Sequence, residues 1–204
     1  MPGYPSMLKM TGLLIGESVP EDASVLVVGA GGGLELRHLA IQAPRWRFVG
    51  VDPAPTMLEL ARDHAAAAGD RLTLIEGTVD AAPDGPFDAA TCILVLGLIA
   101  DDGSKATTLA GIRRRLKPAA PFVLVDHCLD RSAVDFELRL DRYAGYALAN
   151  GVDAQIVAAA RAAISVNPCM VAPERNERLL AQAGFREVEV FYVGMAWRGW
   201  ISRA

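Results

Sequence analysis

Apolar residues come in short continuous runs separated by segments of three-to-four-residue spacing, and this alternation predicts strands and helices in turn. Strands are expected at Ser24–Gly29, Trp46–Asp52, Arg71–Glu76, Phe87–Val95 and Pro121–Asp126. Helices are expected between them at Gly33–Gln42, Pro55–Ala68 and Lys105–Leu116. The last is stopped by Pro118, whose ring keeps the preceding residue out of helical backbone. Phe87–Val95 is apolar almost throughout, which suggests a central parallel strand covered on both faces. This rhythm implies a parallel sheet wrapped by helices, with a ligand site at the strand C-terminal ends.

After Asp126 the rhythm breaks. Ser132–Asn150 and Asp153–Val166 read as helices, interrupted at Asn150-Gly151 and closed by Asn167-Pro168. Ala172–Ala183 is a further helix, and Gly184 suits the left-handed residue that follows a helix end. Arg186–Val193 and Met195–Ser202 then form two strands around Gly194, expected to be antiparallel. No repeat, low-complexity run or linker interrupts the 204 residues, so one domain is expected over 1–204, with a helical insertion at about 132–168.

Composition narrows the class. Hydrophobic residues at 52% and charged residues at 22% describe a globular chain. The net charge is −4, and the densest basic stretch, Arg113-Arg114-Arg115 with Lys117, reads as the solvated end of a helix. Without a basic stripe to neutralise phosphates, no nucleic-acid partner is expected. The three cysteines are widely spaced and fit a reducing cytoplasm. No signal peptide is read at the N-terminus, and the longest apolar run, Cys92–Ala100, falls far short of the roughly 20 residues that span a bilayer. A soluble cytoplasmic protein without a membrane partner is expected.

The candidate chemistry begins where the first strand meets Gly29-Ala30-Gly31-Gly32-Gly33 and a helix. Glycine tolerates positive φ and has no Cβ, so such a loop lets backbone approach a ligand closely, although a tight turn alone would use the same residues. Asp52 ends the second strand nineteen residues after Gly33, where a carboxylate can accept hydrogen bonds from ribose hydroxyls. A dinucleotide fingerprint would need a glycine where Leu34 stands, and no Gly-Lys-Ser/Thr follows to make a P-loop.

The Gly29/Gly31/Gly33 spacing resembles the loop of the class I, Rossmann-like S-adenosylmethionine-dependent methyltransferases. Val49-Gly50-Val51-Asp52-Pro53-Ala54-Pro55-Thr56-Met57-Leu58, Ile75-Glu76-Gly77, Phe87-Asp88 and Arg115-Leu116-Lys117-Pro118 resemble further motifs of that superfamily, in its order. The resemblance implies a seven-stranded, mostly parallel sheet with helices on both faces and a C-terminal antiparallel strand pair. It implies S-adenosylmethionine as cofactor, passed by the glycine loop and held at the ribose by Asp52. Pro53 and Met57 would flank the adenine, Thr78 and Val79 meet its edge, and the backbone near Leu94 meet the methionine amino group. A helix-core role for Met57 fits equally well. The chain departs from the pattern at Val27, where the family has an acid. It departs again at Thr78, for which Asp80 is a candidate substitute, and at Ala119-Ala120 in place of two glycines.

The acceptor is harder to read, because methyl transfer relies on positioning more than on a special nucleophile. Leu94-Val95-Leu96-Gly97 stands where many amino-group methyltransferases carry a polar signature, and a small-molecule acceptor is expected. His127, read as following the fifth strand at the sheet edge, is the candidate general base; an ordinary loop histidine is the plainer alternative. His38 and His64 are expected to have no chemical role, and no side-chain spacing suggests a metal. Phe136, Tyr143 and Tyr146 share one face of an inserted helix, which packing alone would also explain. That stripe could also line a pocket for a small, partly apolar acceptor, which makes Tyr143 a candidate substrate residue. Pro2-Gly3-Tyr4 and the stretch from Arg161 to Phe185 resemble the carboxy-S-adenosylmethionine synthases, which makes Tyr4 and Arg161 candidate substrate residues as well. By that resemblance Arg161 would bind a carboxylate added to the cofactor, and a homodimer could complete the site. Three functions follow in order: a small-molecule methyltransferase, a synthase that modifies the cofactor itself, and a non-catalytic cofactor-binding protein.

Overall fold

The computed structural model describes residues 1–204. Seven strands, β1 (Ser24–Val28), β2 (Arg47–Asp52), β3 (Leu72–Glu76), β4 (Ala89–Ile93), β5 (Pro121–His127), β6 (Arg186–Gly194) and β7 (Trp197–Arg203), form one sheet in the order β3-β2-β1-β4-β5-β7-β6. The first five pair in parallel, and β7 runs antiparallel to both β5 and β6. The seven helices are α1 (Tyr4–Gly16), α2 (Leu34–Gln42), α3 (Pro55–His64), α4 (Ser104–Arg113), α5 (Phe136–Ala149), α6 (Ala154–Val166) and α7 (Pro173–Gln182).

Period-two alternation sorts the strand side chains between two cores. Val25 and Val27 of β1, with Val123 and Val125 of β5, meet Met7, Ile15, Leu36 and Leu39 from α1 and α2. Leu26 and Val28, with Phe122 and Leu124, meet Leu109, Ile112, Leu179 and Leu180 from α4 and α7. Both faces of the central strands are therefore buried, which explains their unbroken apolar runs. Trp200 of β7 is 1% exposed and donates its indole N–H to Glu177 at 3.0 Å.

Several boundaries shift for local reasons. The helix expected over 55–68 stops at His64 and continues as a 3-10 turn, Ala66–Arg71, pinned by Arg71 donating to the carbonyls of Trp46 and Ala67. The helix expected to Leu116 ends at Arg113, because Leu116 pairs with Phe87 ahead of Pro118. Arg115 is a correction to the solvated basic stretch. It is 2% exposed and donates to the carbonyls of Asp80, Ala82, Pro83 and Gly111. His127 is a second correction: it is the last residue of β5, a strand flanked by β4 and β7, and is buried.

The inserted helices α5 and α6 pack on each other and, through Leu140, on Leu129 and Ala196 near the C-terminal end of β5. Asn167, which closes α6, donates to the Gly97 carbonyl at 3.0 Å and so ties this insertion to the loop after β4. No helix is long and apolar enough to cross a membrane.

Candidate functional site

The order of the strands reverses between β1 and β4, and a cavity of about 830 Å³ opens there beyond their C-terminal ends. Gly29, Gly31 and Gly33 all have positive φ, at 77°, 48° and 79°. Their reasons for being glycine differ. A Cβ at Gly29 would overlap the Val95 side chain, and one at Gly33 would lie 2.6 Å from Ala61 Cα. A Cβ at Gly31 would meet nothing closer than 3.8 Å and would stand in the cavity mouth beside Met57. Gly29 and Gly33 therefore seat the loop against its neighbours, while Gly31 keeps the cavity clear.

Asp52 fixes the loop from the next strand. One carboxylate oxygen accepts from Gly31 N at 2.8 Å and the other from Ala54 N at 2.9 Å. An ionised carboxylate has about four acceptor positions, so two bonds leave capacity for ligand hydroxyls. His64, at the end of α3, reaches the Gly32 carbonyl with Nδ1 at 2.6 Å, which requires the proton on that nitrogen. It lines the cavity as well, against the expectation that it has no role.

Gly29, Gly31, Gly33, Asp52, Pro53, Met57, Thr78, Val79 and Leu94 all line this one cavity, and Tyr4 joins them from α1. Met57 is 38% exposed and is thus no core residue. The Tyr192 hydroxyl donates to the Pro2 carbonyl and anchors the segment that presents Tyr4. Asp80 turns outward to Arg114, at 3.0 Å, and does not replace the missing acid beside Thr78.

Leu94 is the strained residue of the site, a non-glycine at φ 61°. Its N–H donates to Val125 O at 2.7 Å, and no protein donor reaches its carbonyl. The loop it begins is held from below by buried polar groups. Lys105, fully buried, donates Nζ to the Leu96 carbonyl, and the buried Asp126 carboxylate packs under Gly97, where a Cβ would come 3.1 Å from its Oδ1. Burial raises Asp126 to about 6, an effect that the Lys105 ammonium opposes.

Three candidates lie elsewhere. His127 stacks on Trp197 at 4.4 Å with an interplanar angle of 10°, and its Nε2 has no partner. Burial, with a smaller contribution from the N-terminal charge, lowers it to about 4, so it is neutral at physiological pH and does not reach the cavity. Tyr143 packs against the same His127–Trp197 pair and lines a separate apolar cavity of about 300 Å³ with Tyr146. Arg161 is a correction: its guanidinium meets Asp141 and Glu137 of α5, both at 2.7 Å, and stays outside the glycine-loop cavity.

One residue escapes a reading of the sequence. Glu35, in the first turn of α2, lines the cavity while only 5% exposed, and burial raises its carboxyl to about 7, an effect the neighbouring Thr91 hydroxyl opposes. Its proximity to Leu36, Leu39 and Ala40 on the buried face of α2 is the available signal, since a solvent-facing acid would sit elsewhere on the helix turn.

Comparison with known proteins agrees with this geometry. A methyltransferase-domain family model matches residues 25–119, the stretch from β1 to the turn before β5. The carboxy-S-adenosyl-L-methionine synthase of Campylobacter jejuni is 24% identical over 196 residues, covering 94% of this chain and 81% of that protein. The ubiquinone biosynthesis O-methyltransferase of Vibrio campbellii is 34% identical over 91 residues, covering 43% of this chain and 38% of that one. Human N-acetylserotonin methyltransferase, solved with S-adenosylmethionine, superposes with a TM-score of 0.64 at 18% identity. That match covers 98% of this chain and 53% of the human protein, so the chain spans about half its length. With the sheet order, the glycine loop and Asp52 in one cavity, these likenesses give residues 25–119 a methyltransferase domain and support the class I S-adenosylmethionine-dependent methyltransferase superfamily.

Proposed function

We propose that this chain transfers the methyl group of S-adenosylmethionine to a small acceptor that is apolar, neutral or cationic. The cavity carries the reading. It runs from Asp52 past the glycine loop to Tyr4, Leu94, Leu98 and Ile99, and no Lys or Arg lines it. An apolar wall with no cation favours molecules without negative charge, since an anion would lose water against it without gaining a counter-charge.

The residues fit the cofactor. The space a Cβ at Gly31 would fill is open, Asp52 retains acceptor capacity, and the Leu94 carbonyl is free to accept from an ammonium. When bound, S-adenosylmethionine supplies an electrophilic methyl group. The chain's own part is to orient and to exclude water: Asp52 and His64 brace the loop, and Lys105 and Asn167 fix the Leu94–Ile99 wall. Orientation of this kind can supply much of the rate of a displacement. We assign no general base, because His127 is buried outside the cavity and its low proton affinity suits no base at neutral pH.

The synthase relative raises a second reading, in which the cofactor is itself modified. A carboxylated ligand calls for a cation, and Arg161 is engaged by Asp141 and Glu137, so the lining supports methyl transfer instead. The free cysteines support a reducing, cytoplasmic setting, and exposed Leu138, Leu148 and Ile156 on α5 and α6 would suit a homodimer contact.

The test is incubation with S-adenosylmethionine and a panel of phenols, amines, thiols and carboxylates, following S-adenosylhomocysteine by mass spectrometry. Product formation that depends on a neutral or cationic small molecule is expected. Turnover confined to anionic acceptors, or none across a broad panel, would contradict the reading.

A further inference from the structure

We propose that Glu35 is a cofactor-recognition residue whose carboxylate receives the α-ammonium at the methionine end of S-adenosylmethionine, in place of the strand acid that this chain lacks at Val27. The inference rests on the reading that the cavity holds this cofactor.

Four observations converge. Glu35 is 5% exposed, yet it lines the cavity, and its Oε1 finds no hydrogen-bond partner in the protein. An unpartnered buried carboxyl oxygen is costly, and a site that keeps one commonly reserves it for a ligand. No Lys or Arg lines the cavity, so the positive charge that would pair with Glu35 must arrive with the ligand. Thr91, whose hydroxyl lies beside Glu35, is the register partner of Val27 on the adjacent parallel strand. Partners in register share a face of the sheet, so the Glu35 carboxyl lies on the face to which Val27 points, the one α2 covers. The negative charge missing from β1 is thus supplied by α2, two residues after the glycine loop.

The chemistry is a charge-assisted pair in a water-poor setting. In the protein alone, burial favours the protonated carboxyl, and Tyr4 and Cys92 are the titratable neighbours whose proton affinity its charge would raise. An ammonium at hydrogen-bond distance reverses that preference, because an opposite charge stabilises the carboxylate. The free Leu94 carbonyl, across the same cavity, can accept a second N–H from the same ammonium. This contact is therefore available only to ligands that carry the amino-acid end.

The experiment compares three ligands by titration calorimetry on the full chain and on Glu35→Gln. S-adenosylmethionine and S-adenosylhomocysteine carry the ammonium, whereas methylthioadenosine lacks the whole amino-acid end. Glu35→Gln is expected to weaken both ammonium-bearing ligands at least tenfold and to leave methylthioadenosine within twofold. The unliganded variant should also unfold at an equal or higher urea concentration than wild type at pH 8, since a buried charge has been removed. Unchanged affinity for S-adenosylhomocysteine would overturn the proposal and return Glu35 to other work, such as deprotonating an acceptor. An equal loss for all three ligands would overturn it too, by showing that Glu35 merely shapes the cavity. If wild type binds none of the three, the cofactor reading itself falls, and this inference with it.

Discussion

Residues that look alike in the sequence do different work here, and the glycine loop shows it best. Gly33 is required by the fold, since a Cβ there would press on Ala61 Cα at 2.6 Å, whereas Gly31 faces open space. Gly33→Ala is therefore expected to destabilise the protein by about 1–3 kcal/mol, the usual range for overpacking. Gly31→Val should keep the wild-type far-UV spectrum while losing most affinity for S-adenosylhomocysteine. Urea unfolding and calorimetry on the two variants would check this, and a reversed pattern would mean that the roles have been misassigned. The spacing of these glycines and Asp52 is legible in the sequence because motif and periodicity report backbone needs. Glu35 is signalled only by its place on the buried face of α2, and His64 and Arg115 are not legible, because each acts across a long sequence separation: His64 on Gly32, Arg115 on the 80–83 turn. A polar side chain's burial depends on which distant element covers it, and pattern along the chain does not encode that.

At the scale of elements, the strands fall where apolar runs put them, while helix ends move by several residues. Ends are decided by contacts such as Arg71 to Trp46 O and Phe87 to Leu116, which periodicity cannot register. β5 is the instructive case. Its last residue, His127, reads from the sequence as an exposed edge residue, but β7 covers that flank and brings Trp197 against the ring. The consequence is measurable. The folded pKa of about 4 lies below the value of about 6.5 expected when unfolded, so the unfolded chain binds more protons between these values. His127 thus leaves stability unaffected above pH 6.5 and lowers it progressively as pH falls towards 4. Asp126 and Glu35, with raised folded values, act in the opposite sense over the same range, so the total profile is a partial cancellation. The difference between wild type and His127→Phe isolates the histidine. Relative to wild type, the variant should gain about 2 kcal/mol between pH 7 and pH 4.5 in urea titrations, since each tenfold loss of proton affinity on folding is worth about 1.36 kcal/mol. A pH-independent difference would show that the ring is accessible to solvent.

Over the whole molecule, charge is divided between the two ends of the sheet. Arg113, Lys117, Arg186 and Arg203 gather around the start of β5 and β6, while the cavity at the other end carries Asp52 and Glu35 and no Lys or Arg. This division makes the ligand end acidic, which suits a cofactor of net positive charge. The topology that creates this end, with strand order reversing between β1 and β4, is the place where open α/β sheets bind ligands. What the sheet brings there, and what it leaves behind on α5 and α6 with Arg161 and Tyr143, separates the residues that line the cavity from two of the expected substrate residues. The central claim is that this cavity binds S-adenosylmethionine through Asp52. Titrating S-adenosylhomocysteine into wild type and Asp52→Ala tests it most directly, since the substitution removes a charge-assisted acceptor worth roughly 1.5–3 kcal/mol and frees Gly31 N and Ala54 N. The account predicts one site per chain in wild type and an affinity at least tenfold lower in the variant; equal affinities in the two proteins would contradict it.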